Sequence, residues 1–155
     1  RLVAEVETTR GRFSIELLAE EAPMTVDSFA ALARKGFFDR TTIHRVVPDF
    51  VVQAGDPRGD GTGGPGYALR DELNARPYVR GTVGMALSGP DTGGSQWFVT
   101  LSRQPHLDGA YTVFGEVTAG MEVVEAIEQN DRLLSVRVTE GTRAAPPGLA
   151  PPTSR

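Results

Sequence analysis

The chain has 155 residues, 39% hydrophobic and 23% charged, the proportions of one ordinary globular domain long enough to bury a real core. Its 16 basic and 20 acidic residues are intermixed, giving a net charge of −4, which argues against a nucleic-acid surface; no stretch approaches the apolar length of a membrane span. Cysteine is absent, which excludes disulfides, thiolate catalysis and cysteine-ligated metals.

Residues 2–8 (LVAEVET) and 12–18 (RFSIELL) flank Thr9-Arg10-Gly11. Phe13, Ile15 and Leu17 alternate with Arg12, Ser14 and Glu16, which predicts a half-buried hairpin turning at Gly11. Pro23 suits the first turn of a helix, and Val26, Phe29, Ala30 and Ala33 follow at helical spacing. With Gly36 as the stop, an amphipathic helix is predicted over 24–35. Short strands come next, at 41–47, 50–54, 82–87, 95–101 and 111–117, with the 18 glycines and 11 prolines clustering between them. Met121, Val124 and Ile127 form one stripe of a second helix over 121–129, and 133–140 reads as a last strand. Many short strands and two separated helices predict a mainly β fold, a closed sheet with helices packed against it. Residues 144–155, AAPPGLAPPTSR, are proline-rich and favour polyproline II or disorder.

Arg1 leads directly into a strand-like pattern without an initial Met, so the chain reads as a piece excised from a longer protein. A Cys-free composition suits the cytosol and leaves the periplasm open.

Some motifs invite readings that their surroundings do not support. Gly59-Asp60-Gly61-Thr62-Gly63-Gly64 fits Gly-x-Gly-x-x-Gly, but a dinucleotide site needs a helix opening directly after it. Pro65-Gly66 follows instead, so a glycine-rich loop is the reading, and Arg58-Gly59-Asp60 carries no weight as an adhesion signal. Gly93-Gly94-Ser95-Gln96-Trp97 resembles a nucleophile elbow without its closing glycine. Neither histidine, His44 or His106, is spaced to serve as the base of a triad, and two are too few for a metal site. His44 is read as a hydrogen-bonded structural imidazole. No metal and no cofactor is expected.

The stretch IHRVVPDFVVQAGD, residues 43–56, carries Arg45 and Gln53 through apolar sequence. Strand alternation puts Val51 and Gln53 on one face, and it separates Gln96 and Phe98 from Trp97 and Val99. Two strands with the same amide-plus-apolar pattern make a shallow groove edged by amides and a guanidinium competitive with a bland outer surface.

These residues carry a family resemblance. APMTVDSF (22–29), GFFDRTTIHRVVPDFVVQAGD (36–56), GTGGPGY (61–67), GTVGMA (81–86), SGPDTGGSQWFVT (88–100), HLDG (106–109) and VFGEVTAGMEVVEAI (113–127) resemble the cyclophilins in order and spacing, over roughly residues 2–140. These are peptidyl-prolyl cis/trans isomerases, and the resemblance is to their bacterial-type members. It implies a closed eight-stranded antiparallel β-barrel capped by two α-helices, an isomerase domain over 1–141 and a proline-rich tail over 142–155. Arg45 falls on the catalytic arginine, with Gln53 beside it. Phe50, Val51, Phe98 and Leu107 fall on the proline pocket; Gln53, Ala86, Ser88 and Gln96 fall along the substrate backbone track. Three positions depart. Val51 stands where many relatives have Met, Tyr111 where human-type members have His, and His106 where those members have Trp. Tyr111 still walls the pocket, whereas losing the indole at 106 is expected to weaken binding of the inhibitor ciclosporin.

The implied partners are proline-containing peptides and unfolded proteins. An X–Pro bond isomerises over tens to hundreds of seconds unaided. No bond breaks, so neither nucleophile nor proton shuttle is needed. A proline-peptide binding module without useful catalysis would share the groove and differ through Arg45. The tail, holding Ala145-Pro146 and Ala150-Pro151, is expected to dock on a neighbouring molecule.

Overall fold

A computed structural model describes residues 1–141; the proline-rich tail and its expected docking lie outside the described residues. Strands β1 (Leu2–Thr8) and β2 (Gly11–Leu17) form the opening hairpin, and helix α1 (Pro23–Arg34) follows. Next come β3 (Thr41–Thr42), β4 (Arg45–Val47), β5 (Val51–Ala54), β6 (Thr82–Met85) and β7 (Trp97–Thr100). A single 3-10 turn (Pro105–Leu107) precedes β8 (Val113–Ala119), α2 (Met121–Ala126) and β9 (Arg132–Glu140).

All pairings are antiparallel, in the order β3-β9-β1-β2-β8-β6-β7-β5-β4. The outermost strands, β3 and β4, are separated in sequence only by Ile43 and His44. The sheet therefore curls until its two edges meet in one stretch of chain. Nine paired segments replace the expected eight because 41–47 is two strands rather than one. The reason is a change of partner. Ile43 still bonds toward β9, its amide donating to Asp131 O at 2.7 Å and its carbonyl accepting from Asn130 N at 2.9 Å. From Arg45 onward the chain pairs with β5 instead. The ring is completed through the backbone at 43–44, not by a continuous ladder.

Strand alternation sorts side chains into two clusters. Val52 and Ala54 of β5 and Trp97 and Val99 of β7 point into the main core; Val51 and Phe98 belong to a second cluster with Leu18, Tyr78, Leu107 and Val113. α1 delivers Val26, Phe29 and Ala33 to the main core. The Phe29 ring lies 5.1 Å from Phe38, 5.3 Å from Phe114 and 5.7 Å from Trp97, in tilted and edge-on contacts. No side chain of Ala22 caps this helix. Glu72, from a distant loop, accepts the Met24 amide at 3.1 Å and the Thr25 amide and hydroxyl at 2.7 Å. α2 is shorter than the predicted 121–129: it ends at Ala126, and Ile127 is extended with its side chain buried in the core. No helix among the described residues is long and apolar enough to cross a membrane.

Candidate active site

The β4–β5 hairpin fixes the central pair. Its register sets Arg45 opposite Gln53 and Val47 opposite Val51. On the next strand Gln53 pairs with Phe98, and Phe98 pairs with Gly84 of β6. A row therefore crosses four strands: guanidinium, amide, aromatic ring and glycine. Gly84 is the gap in that row. A Cβ there would collide with the Tyr78 hydroxyl and stand 2.7 Å from Phe98 Cζ. Its absence lets Tyr78 stack beneath Phe98 at 5.5 Å and 25°. Burial raises the Tyr78 pKa, and its hydroxyl donates to Tyr111 O at 2.9 Å.

These side chains enclose a dent of about 220 Å³ lined by Arg45, Phe50, Val51, Gln53, Ala86, Leu87, Phe98, Leu107 and Tyr111. Tyr111 meets Phe98 edge-on at 6.0 Å and 86°. His106 is not in the dent. It stacks behind Phe50 at 5.7 Å and 29°, while Arg45 Cζ lies 5.6 Å from the centroid of the same ring. Ser88 and Gln96 also stand outside the dent and line a chamber beside it.

Amides connect the two spaces. Arg45 Nη1 donates to Gln53 Oε1 at 3.3 Å, and Gln53 Nε2 donates to Gln96 Oε1 at 3.1 Å. Gln96 Nε2 then donates to the Gly61 and Gly63 carbonyls at 2.9 and 3.0 Å. The chain of donors fixes which end of each amide faces which way. Arg45 is exposed and joins none of the ion pairs among the described residues. Its charge is therefore free to meet a ligand.

Two residues escaped the reading of the sequence. Leu87 lines the dent, yet alternation from Ala86 would turn it away; β6 stops at Met85, so strand parity no longer applies. Tyr78 carried no motif and is read only from its packing. Asp108 braces the same wall, accepting the Tyr78 amide at 2.8 Å and pairing with Arg103 at 2.6 Å.

His44 corrects an expectation. Its Nδ1 is buried and has no hydrogen-bond partner among the described residues. Burial pushes the imidazole pKa down. Asp56 beside it accepts the amides of Arg58, Asp60 and Gly61, and its charge together with the Gln96 side chain only partly offsets the effect of burial on the imidazole. Burial alone would raise the Asp56 pKa, but those amides and that of Gly63 bring it below the ordinary value. The other tempting motifs resolve as structure. Ser95 is buried and donates to Gly55 O at 2.7 Å, so it is no exposed nucleophile. The glycine run is followed by loop and not by a helix.

The family model described as cyclophilin type peptidyl-prolyl cis-trans isomerase/CLD matches residues 3–145. A peptidyl-prolyl cis-trans isomerase of Synechococcus elongatus is 44% identical over 137 residues, covering 87% of this chain and 94% of that protein. Peptidyl-prolyl cis-trans isomerase B of Bacillus subtilis is 47% identical over 129 residues, covering 82% and 90%. Among solved structures, a cyclophilin type peptidyl-prolyl cis-trans isomerase of Cryptosporidium parvum superposes with a TM-score of 0.85 at 29% identity, covering 90% of this chain and 98% of that one. Its crystal structure in the presence of the dipeptide Ala-Pro is similar at a TM-score of 0.84.

Proposed function

The chain belongs to the cyclophilin-type peptidyl-prolyl cis-trans isomerases, and we propose that it turns X–Pro bonds by gripping the ring in the dent and stabilising the twisted imide with Arg45. The barrier it must lower is amide resonance, about 18–20 kcal/mol for a peptide bond. Only interactions stronger in the twisted state than in either planar form accelerate rotation. As resonance is lost, the proline nitrogen regains a lone pair. A fixed N–H aimed at that nitrogen finds an acceptor only then. Arginine suits this task because it stays charged and holds its donors in a rigid plane.

Phe50, Val51, Phe98, Leu107 and Tyr111 supply the apolar walls for the ring, with Leu87 beside them. Holding the ring leaves the carbonyl of the preceding residue free to swing. Gln53 orients Arg45 through its carbonyl and also bonds the substrate backbone. Ala86, Ser88 and Gln96 extend the track along which that backbone runs. The substrates are proline-containing peptides and folding proteins; the related Cryptosporidium protein was crystallised with Ala-Pro, which supports a ligand of this kind. Ciclosporin binding is weakened, because the imidazole of His106 offers a smaller face than an indole.

The observation that carries the reading is the cross-strand pair of Arg45 and Gln53 at the rim of an apolar dent, with the guanidinium outside any ion pair among the described residues. Arg45→Ala removes one donor that acts only in the twisted state, so exchange catalysis should fall about a hundredfold. Arg45 is exposed, and peptide binding and folding should persist. NMR exchange spectroscopy on an X–Pro peptide measures this directly; wild-type exchange rates in the variant would overturn the assignment.

A further inference from the structure

Beside the dent lies a larger open chamber of about 790 Å³. Gln53, Ala86 and Leu87 line both spaces, so the two share a wall. Much of the chamber is bare backbone, with Gly61, Gly63, Gly64, Gly66 and Gly94 in its lining. A Cβ at Gly64 or Gly66 would meet nothing within 4 Å, which marks open space rather than tight packing. Arg58 is the one charged side chain among the described residues that line the chamber. Its Cγ would stand 3.0 Å from a Cβ on Gly63, so the stem of the side chain crosses that glycine.

The charge of Arg58 is not spent locally. Arg10, Arg80 and Arg103 are held by Asp131, Glu125 and Asp108, whereas Arg58 joins no ion pair among the described residues. The two carboxylates of its own loop, Asp56 and Asp60, form no ion pair with it. Asp56 takes backbone amides, including that of Arg58 itself at 2.8 Å. Asp60 takes the amide and hydroxyl of Thr62 at 2.9 and 2.6 Å. An unpaired guanidinium in a chamber with no lining acid is matched by an anionic side chain.

We propose that Arg58 is a specificity residue, selecting substrates that carry Glu or Asp a short distance from the proline. This rests on the isomerase reading, since the proline in the dent sets which residue reaches the chamber. The chamber shares a wall with the dent, so the side chain it receives lies a short run of extended peptide from the ring, at about 3.3 Å per residue.

The test uses alanine-based peptides with one proline and Glu, Gln or Lys at the second or third position on either side. Binding is measured by NMR titration, which reads preference whether or not turnover occurs, and exchange rates are measured in parallel. At one position Glu should bind about three- to fivefold more tightly than Gln, the scale of a solvent-exposed ion pair, and the ratio should shrink as salt rises. Arg58→Ala should bring that ratio to one, Arg58→Lys should restore part of it, and Arg58→Glu should favour Lys. Because each ratio is taken within one variant, partial unfolding cancels. Peptides that bind with the Glu preference but are not isomerised would sink the isomerase reading and leave the Arg58 assignment standing. Isomerisation with no position favouring Glu over Gln, or with a preference that survives Arg58→Ala, overturns the Arg58 assignment alone. Absence of any peptide binding overturns both.

Discussion

Arg45 and Gln53 owe their position to strand period, which sends alternate residues to opposite faces and needs no tertiary information. Hence the groove-facing set Val51, Gln53 and Phe98 was readable from sequence, as was the inward pair Trp97 and Val99. What the period does not reveal is whether a polar atom finds a partner. His44 was read as hydrogen-bonded, yet its buried Nδ1 has no partner among the described residues, while Asp56 beside it accepts loop amides. The geometry at Arg45 also separates charge from shape. Arg45→Lys keeps the positive charge but replaces a rigid fork, held by Gln53 at 3.3 Å, with a mobile ammonium. It should recover less than about a tenth of the exchange rate that Arg45→Ala loses, a difference of about 1.4 kcal/mol in barrier. Near-complete rescue by Lys, measured by the same NMR exchange, would mean that charge alone suffices. His106 offers a gain-of-function counterpart. It is exposed and stacks on Phe50, so a larger ring has room at the rim. His106→Trp should tighten ciclosporin binding, read by fluorescence titration of the new indole, with exchange rates on short peptides little changed.

Elements were found more readily than their ends. Pro23 and the spacing of Val26, Phe29 and Ala33 announce α1 locally, and the helix, predicted over 24–35, spans Pro23–Arg34. Its cap does not come from nearby sequence. Glu72 reaches the Met24 amide from 48 residues away, and a loop this distant gives no local signal. The same limit explains the split of 41–47, where the change of partner from β9 to β5 is a property of the sheet. It explains the short α2 as well, since Ile127 leaves the helix to enter the core. Glu72 satisfies two of the amides that every helix leaves open at its start. Glu72→Ala should cost about 1 kcal/mol, typical of a lost N-cap, seen as a lower denaturation midpoint with an unchanged slope. No change in midpoint would show that water replaces the carboxylate at no cost.

The curled sheet ties the site to the stability of the whole molecule, because the 53–63 segment carries both groove residues and the buried Asp56. That carboxylate is fully buried and held by loop amides, with a pKa below its ordinary value of about 3.8. A depressed folded-state pKa means that the unfolded chain binds its proton first. The stabilisation is thus present above the ordinary value and is lost as pH falls through the folded one. His44 acts in the same direction at higher pH. Burial lowers its pKa below the ordinary 6.5, so protonation is easier in the unfolded chain, and stability declines as pH falls below that value. Surface pairs such as Arg10–Asp131, Arg80–Glu125 and Arg103–Asp108 also hold carboxylates low, but solvent and salt screen them. Stability should therefore be level above about pH 7, begin to decline below about pH 6.5 through His44 and fall further below about pH 4 through the carboxylates. High salt should flatten the contribution of the surface pairs and spare that of Asp56. Urea denaturation from pH 3 to 8 measures the profile. His44→Gln should remove the decline that sets in below about pH 6.5 and leave the acid limb. Asp56→Asn should lose about 1–3 kcal/mol at pH 7, because an amide NH₂ then faces the buried N–H donors, and the acid limb should shrink. A wild-type profile that stays level to pH 4, or an acid limb untouched by Asp56→Asn, would place the acid sensitivity of the barrel elsewhere.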